Sequence, residues 1–367
     1  VRVLMISKAC VVGTYQKKLE ELARLPELEL TVIVPPCWRD ERGVLRLERQ
    51  HTAGYDLVVE PLALNGHFHL HFYPGLGRQM RRLRPDLVHI DEEPYNLATC
   101  HALWLARRIG ARSLFFSWQN LYRRYPPPFC WLERYVLKHA DYGLAGNREA
   151  AEVWRAKGYT GPIAIIPQFG VDPDLFCPLP RPPGRRFVIG YVGRLVAEKG
   201  VDLLLEALAG LEGEWQARIL GSGPMRESLQ AQARRLGLAD RVSFDAPLPS
   251  AHLPDYYRRL DLLVLPSRTR PNWKEQFGRV LVEAMACGVP VIGSDCGEIP
   301  HVIGDAGLIF PEGRADRLQA LLSRLQADPA LRADLARRGR ERVLAGYTQA
   351  QVAAQTYQVY RTLVAQA

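Results

Sequence analysis

The chain has 367 residues, 47% of them hydrophobic and 24% charged, and its 48 Lys and Arg against 39 Asp and Glu leave a formal charge of +9. That length suits two domains, and no apolar run approaches the roughly 18 residues of a bilayer span, which excludes a spanning helix within this sequence. The positive balance fits an anionic substrate, an anionic membrane surface or nucleic acid, without choosing among them. The N-terminal VRVLMIS reads as a strand, not a signal peptide. Short apolar strands then alternate with helical patterns, the mark of an α/β protein with parallel sheets. Strands are expected at 1–6, 29–34, 86–90, 112–116, 141–145 and 163–166, with helices such as 95–108 and 128–138 between them. Segment 167–186 is proline-rich and aperiodic, and 171–186 reads as a linker. The pattern restarts with strand 187–192 and a helix near 200–210, then strands 216–220, 261–265 and 289–293, and a last helix near 348–365. Two Rossmann-like, doubly wound domains facing a central cleft are expected, with ligands beyond the carboxyl ends of the strands.

Seven cysteines (Cys10, Cys37, Cys100, Cys130, Cys177, Cys287, Cys296) form no CxxC pair. That favours reduced thiols in a cytoplasm over a zinc site or a disulfide frame.

Three glycine-bearing strand ends could let a backbone approach a phosphate: SKACVVGTY (7–15), GRLVAEKG (193–200) and GSGP (221–224). None matches GxGxxG or GxxxxGK[ST], which disfavours a dinucleotide dehydrogenase and a P-loop NTPase. In GRLVAEKG, Arg194 and Lys199 flank one turn and would suit a diphosphate; a solvated basic turn is the alternative. In KEQFGRVLVEAMACGVP (274–290), Glu275 and Glu283 stand eight residues apart, the second inside an apolar run. A buried carboxylate needs a partner. A nearby loop could supply it, or a ligand could. Eight helical residues advance about 12 Å and turn about 80°, so the two carboxylates are expected to have separate tasks.

GRLVAEKG, taken with KEQFGRVLVEAMACGVPVIGSDCGEIP, resembles the retaining glycosyltransferases of family 4 (glycosyl transferases group 1), which have the GT-B fold. The signature E-x7-E of that family falls on Glu275 and Glu283. The loop at Gly13, the segment PQFGVDPDLFCP and GSGP are similar as well. The resemblance is specific over 187–312 and looser before it. It implies a transferase moving a hexosyl unit, with retained configuration, from a nucleotide-diphosphate sugar to a hydroxyl of a glycan, a glycolipid or a small molecule. A UDP sugar of the UDP-glucose type is the expected donor. No cofactor and no obligatory metal are implied, because such proteins lack the DxD motif.

By the same resemblance, Glu283 binds the ribose and Glu275 faces the donor sugar. Backbone N–H groups of Phe277 and Gly278 bind sugar hydroxyls, and Gly278 leaves room for the ring. Arg194 and Lys199 neutralise the diphosphate. Glu198 assists at the ribose or orients Lys199. Gly13 and the backbone of 297–299 contact phosphate. Gly193, Gly221 and Gly223 border the nucleotide, and Leu248 lies by the base. Domain 1–170, with the C-terminal helix 348–367 packing back on it, binds the acceptor, and 187–347 binds the donor.

One departure stands out. Where many members carry H-x-H-E-P, this chain reads HIDEEP (89–94), with Asp91 on the second histidine position. Asp91, Glu92 and Glu93 could bind acceptor hydroxyls or replace the histidine; they could also cap the helix near Tyr95. Trp118, Gln119 and Asn120 follow a strand and are expected to line the acceptor site. His67, His69 and His71 alternate as in a strand with one histidine-lined face, and no carboxylate or cysteine accompanies them as a metal set would require. Arg78, Arg81, Arg82 and Arg84 could meet anionic lipid headgroups, for peripheral contact at the inner membrane surface, or form a solvated face. No nucleic-acid reader motif accompanies the charge. The rivals are a GT-B nucleotide-sugar epimerase, a phosphorylase, for which no convincing pyridoxal-phosphate lysine is found, and a non-catalytic nucleotide-sugar-binding subunit.

Overall fold

The computed structural model describes residues 1–40, 43–180 and 186–365. The chain divides into two compact units, Val1–Gly170 with Gln349–Ala367, and Val171–Thr348.

The first unit holds strands β1 (Arg2–Ile6), β2 (Glu29–Val34), β3 (Cys37–Asp40), β4 (Gly43–Arg46), β5 (Asp56–Val59), β6 (Leu87–Ile90), β7 (Arg112–Ser117), β8 (Tyr142–Ala145) and β9 (Ile163–Ile165). Seven form one parallel sheet in the order β5-β2-β1-β6-β7-β8-β9, while β3 and β4 make a separate antiparallel hairpin. Side chains alternate across the sheet. Val3 and Met5 join a core with the C-terminal helix Gln349–Ala365, while Leu4 and Ile6 join the opposite core around Tyr73 and Trp154. The C-terminal helix is held to the sheet by Tyr360, whose hydroxyl lies 2.6 Å from His89 Nδ1. The chain leaves β1 for β2 on one side and returns to β6 on the other. This switch of direction places the residues after β1 and β6 side by side.

The second unit repeats the plan with β10 (Phe187–Val192), β11 (Trp215–Leu220), β12 (Val242–Asp245), β13 (Leu262–Leu265), β14 (Val291–Ser294) and β15 (Leu308–Phe310). Its parallel order is β12-β11-β10-β13-β14-β15, so its switch lies between β10 and β13. Strand β10 is buried along its whole length, as a central parallel strand covered on both faces must be.

The expected strand through His67, His69 and His71 is not formed. The segment turns back on itself, with the N–H of His71 and of Leu70 both donating to His67 O at 3.0 Å. Those tight turns scatter the three side chains. His67 is exposed, whereas His71 is fully buried. Among the described residues no group of three or more His, Cys, Asp or Glu could hold a metal ion. Of the expected linker, 171–180 packs on the second unit: Val171 bridges to Thr348, Phe176 enters the core, and Arg340 donates to the carbonyls of Phe176 and Pro173. Residues 181–185 of that linker, and 366–367 of the expected C-terminal helix, lie outside the described residues. All seven cysteines are free thiols. Among the described residues no helix is long and apolar enough to cross a membrane.

Candidate active site

In the second unit the loop after β10 carries Gly193, Arg194, Glu198 and Lys199, and the loop after β13 carries Ser267 and Glu275. The switch between these strands brings them together. Lys199 Nζ lies 2.6 Å from Glu275 Oε2, and Ser267 Oγ donates to the same oxygen at 2.8 Å. The ammonium also sits 4.9 Å from the ring centroid of Trp273. Arg194 lies 3.7 Å from Glu198. Its side chain is 56% exposed against 15% for Lys199, so the guanidinium is the accessible cation and the ammonium the anchored one. Glu198 therefore faces Arg194 and does not orient Lys199; Glu275 does that.

Glu283 lies on helix Arg279–Ala286 and is buried. Its Oε2 accepts from Tyr257 OH and its Oε1 from Arg279 Nε, both at 2.8 Å. Glu275 precedes this helix and is not part of it, so the helical spacing estimated from sequence does not apply. The separate tasks rest instead on separate partners.

The glycine loops touch one another. The N–H of Leu195 donates to Ser222 O at 2.8 Å, and that of Met225 to Leu195 O at 3.1 Å. A Cβ on Gly221 would meet Gly193 O at 1.9 Å, and one on Gly223 would meet Leu195 O at 2.4 Å. Close packing of loop on loop already requires glycine there. A Cβ on Gly278 would meet Leu281 and Leu265, so that glycine makes no room for a sugar ring. The Phe277 ring packs on Tyr347, with centroids 5.8 Å apart. Leu248 is exposed. The N–H groups of Glu298 and Ile299 are already donated to Glu275 O and Cys296 O, which leaves neither of them for phosphate in this state.

In the first unit the switch between β1 and β6 sets Ser7 and Lys8 beside Asp91 and Glu92. Lys8, Asp91 and Glu92 open into a cavity of about 470 Å³ walled by aromatic rings, among them Tyr15, Trp38, Phe68 and Trp118. Asp91 Oδ2 accepts from Ser7 Oγ at 2.6 Å and from Gln168 Nε2 at 2.9 Å, while its Oδ1 is buried without a partner. Burial raises the Asp91 carboxyl above its usual range, against the pull of Lys18 and these two hydrogen bonds. Glu92 is paired with Lys8, whose ammonium lies 4.8 Å from the centroid of Phe68 and 5.3 Å from that of Trp38. Burial alone would raise Glu92, but Lys8 and His71 bring it down to about 2. Glu93 accepts from Ser117 Oγ at 2.6 Å and from the N–H of Trp118 at 2.8 Å, yet burial raises it to about 7.

These partners overturn the capping alternative. The helix Leu97–Arg108 begins after Asn96 with no side-chain cap, and all three acids are committed elsewhere. Gln119 and Asn120 are buried but do not line the cavity, and the Gln119 amide donates to Leu121 O at 3.0 Å. The N–H of Gly13 donates to Glu48 Oε2 at 2.7 Å, so a phosphate there would have to displace a carboxylate.

Several members of both clusters were not singled out from the sequence. Arg279 is four residues before Glu283 and was legible as an i,i+4 pair. Lys8 sat in the quoted loop. Tyr257, Ser267, Trp38 and Gln168 gave no local signal.

Comparison with known proteins identifies the family and the fold. Residues 180–342 match the family described as Glycosyl transferases group 1, and 19–175 match Glycosyltransferase Family 4. The chain is 34% identical over 359 residues to the GDP-mannose-dependent alpha-(1-6)-phosphatidylinositol monomannoside mannosyltransferase of Mycolicibacterium smegmatis, covering 89% of each chain. It is also 34% identical over 184 residues to the D-inositol 3-phosphate glycosyltransferase of Segniliparus rotundus, covering 46% of this chain and 40% of that one. Among solved structures, sucrose-phosphate synthase from Thermosynechococcus elongatus superposes with a TM-score of 0.73 at 22% identity, over 100% of both chains. HepE of Anabaena in complex with UDP does so with a TM-score of 0.75 at 17% identity, over 99% of this chain and 100% of that one. The chain belongs to glycosyltransferase family 4. It is a glycosyltransferase with the GT-B fold of two Rossmann-like domains.

Proposed function

We propose that the second unit binds a nucleotide-diphosphate hexose, and that the chain transfers the hexose, with retention, to a hydroxyl of an inositol-containing glycolipid held by the first unit. GDP-mannose is the first candidate donor, ahead of the UDP sugar expected from the sequence, because the relative matched over 89% of both chains is named for GDP-mannose. The same name supports a phosphatidylinositol mannoside as acceptor. The aromatic walls of the first-unit cavity suit stacking on a polyhydroxylated ring. The unpartnered Asp91 Oδ1 calls for a hydroxyl donor, since a buried oxygen left unpaired is costly.

The observation that carries the reading is the 2.6 Å contact between Lys199 and Glu275. A diphosphate arriving beside Arg194 competes for the Lys199 ammonium and turns Glu275 toward the sugar. Two cations on the leaving group stabilise the charge that builds there as the glycosidic bond breaks. Glu275 then faces the positive charge on the anomeric carbon. The departing diphosphate takes the acceptor proton as the hydroxyl attacks from the same side. Arg194 and Lys199 supply the countercharge, so no metal is required. Glu283 holds the ribose. The reaction is placed in the cytoplasm, where the seven thiols stay reduced.

The test is turnover of GDP-mannose and of UDP-glucose by purified protein with a phosphatidylinositol mannoside, with EDTA present and with acceptor omitted. GDP-mannose should be used, EDTA should not matter, and omission should abolish product. Glu275→Ala should lower turnover by about 10²–10³-fold with the fold intact. Wild-type turnover by that variant would sink the assignment of Glu275.

A further inference from the structure

The first unit has a second cavity, of about 520 Å³, that shares no lining residue with the acidic one. One face of helix Phe129–His139 forms a wall, with Glu133, Arg134, Leu137 and Lys138 at helical spacing. Segments 122–125 and 157–160 complete it. Five cations line it, Arg123, Arg124, Arg134, Lys138 and Lys157, against the single acid Glu133. That acid is already spent. It is paired with Lys157, whose side chain is only 5% exposed and whose ammonium also lies 4.9 Å from the centroid of Trp154.

Three of the other four cations are not offset in this way. Arg124, Arg134 and Lys138 are exposed, and none has a carboxylate at ion-pair distance among the described residues. Arg134 and Lys138 stand one helical turn apart, where like charges repel. A concavity that keeps such a set together lacks an anion. Guanidinium forks match the paired oxygens of a phosphate better than any other common anion except a carboxylate. The surroundings narrow the source. Trp131 is 61% exposed and Tyr122 is 52% exposed, on the same helix and loop that line the cavity. Large exposed aromatics beside basic residues suit the headgroup layer of a bilayer.

We infer that this basic cavity is a phosphate-ester binding site, distinct from the donor and acceptor clusters, that seats the phosphate of an anionic lipid headgroup or of the corresponding soluble ester. Binding there orients the first unit toward the surface that carries a lipid acceptor.

The experiment is co-sedimentation of the full chain with phosphatidylcholine vesicles, with and without phosphatidylinositol, beside calorimetric titration with inositol phosphate. The variants are Arg124→Ala/Arg134→Ala/Lys138→Ala, all at exposed positions, and the control Arg81→Ala/Arg82→Ala on helix Leu76–Leu83. Thermal melting checks that each is folded. At low salt the triple variant should lose ~10²-fold in affinity for anionic vesicles, at about fivefold per cavity charge removed, while the control retains most of it. Loss confined to inositol phosphate assigns the site to a soluble ester. The inference is overturned if the wild type binds neither probe, if the triple variant binds both as well as the wild type, or if the control loses as much as the triple variant. No donor or turnover enters the measurement, so its outcome is independent of the proposed reaction.

Discussion

Glu283 shows how one side chain can serve both fold and ligand. Each carboxylate oxygen can accept two hydrogen bonds, so Tyr257 on one and Arg279 on the other do not exhaust it. The two functions separate by mutation. Tyr257→Phe removes a buried bond but keeps the charge; it should cost about 1 kcal/mol in a denaturant melt and leave GDP affinity within about threefold. Glu283→Ala removes the acceptor for the ribose hydroxyls and should weaken GDP by ~10–10²-fold in calorimetry. A Glu283→Ala protein that melts early yet binds GDP normally would make this carboxylate purely structural. The sequence made half of this residue's surroundings readable. Arg279 lies one turn away on the same helix, whereas Tyr257 is 26 residues distant and is delivered only by tertiary packing. Lys199 and Glu275 are 76 residues apart, and only the order of two family motifs joined them in advance.

At the scale of elements, the central strands were legible because parallel strands covered on both faces are unbroken apolar runs. The pieces that escaped were short or at edges. Strand β5 has no fully buried residue, and β4 is exposed throughout, so neither carries a hydrophobic pattern. The alternation of His67, His69 and His71 misled because period two in sequence is not evidence of a strand when turns can produce it. In two of the glycine positions, Gly221 and Gly223, packing against a neighbouring backbone is by itself a reason for glycine, beside the phosphate approach expected from the sequence. That has a measurable consequence. Gly237 also has a positive φ, of 71°, yet open space surrounds its Cβ position, so Gly237→Ala should cost only about 1 kcal/mol of backbone strain. Gly221 has φ 151° and a carbonyl oxygen 1.9 Å from the added carbon. Gly221→Ala should cost several times as much, on the order of 3 kcal/mol or more, and equal melting temperatures for the two variants would refute the loop-on-loop account.

For the whole molecule, a charge of +9 says little about its response to pH, because neighbouring groups are driven in opposite directions. Glu92 lies at about 2 in the folded first unit, below its usual 4.5. The unfolded chain therefore binds that proton more readily, and the stability Glu92 contributes is lost as pH falls from about 4.5 through about 2. Glu93 lies at about 7, above its usual 4.5. Here the folded chain holds the proton more tightly, so the contribution is complete below about 4.5 and disappears as pH rises through about 7. Between about pH 5 and about pH 8 only the second of these slopes operates. Glu93→Gln removes it while keeping a neutral side chain of the same shape; its amide oxygen can accept from the N–H of Trp118, and the Ser117 hydroxyl can rotate to accept from its NH₂. Relative to wild type, the variant should therefore be less stable or equal at about pH 5 and should gain steadily toward about pH 8. Melting curves of the two proteins across that window decide the matter. A difference in melting temperature that stays flat would mean that Glu93 is ionised throughout, and that the acidic floor of the cavity carries one more negative charge than its burial allows.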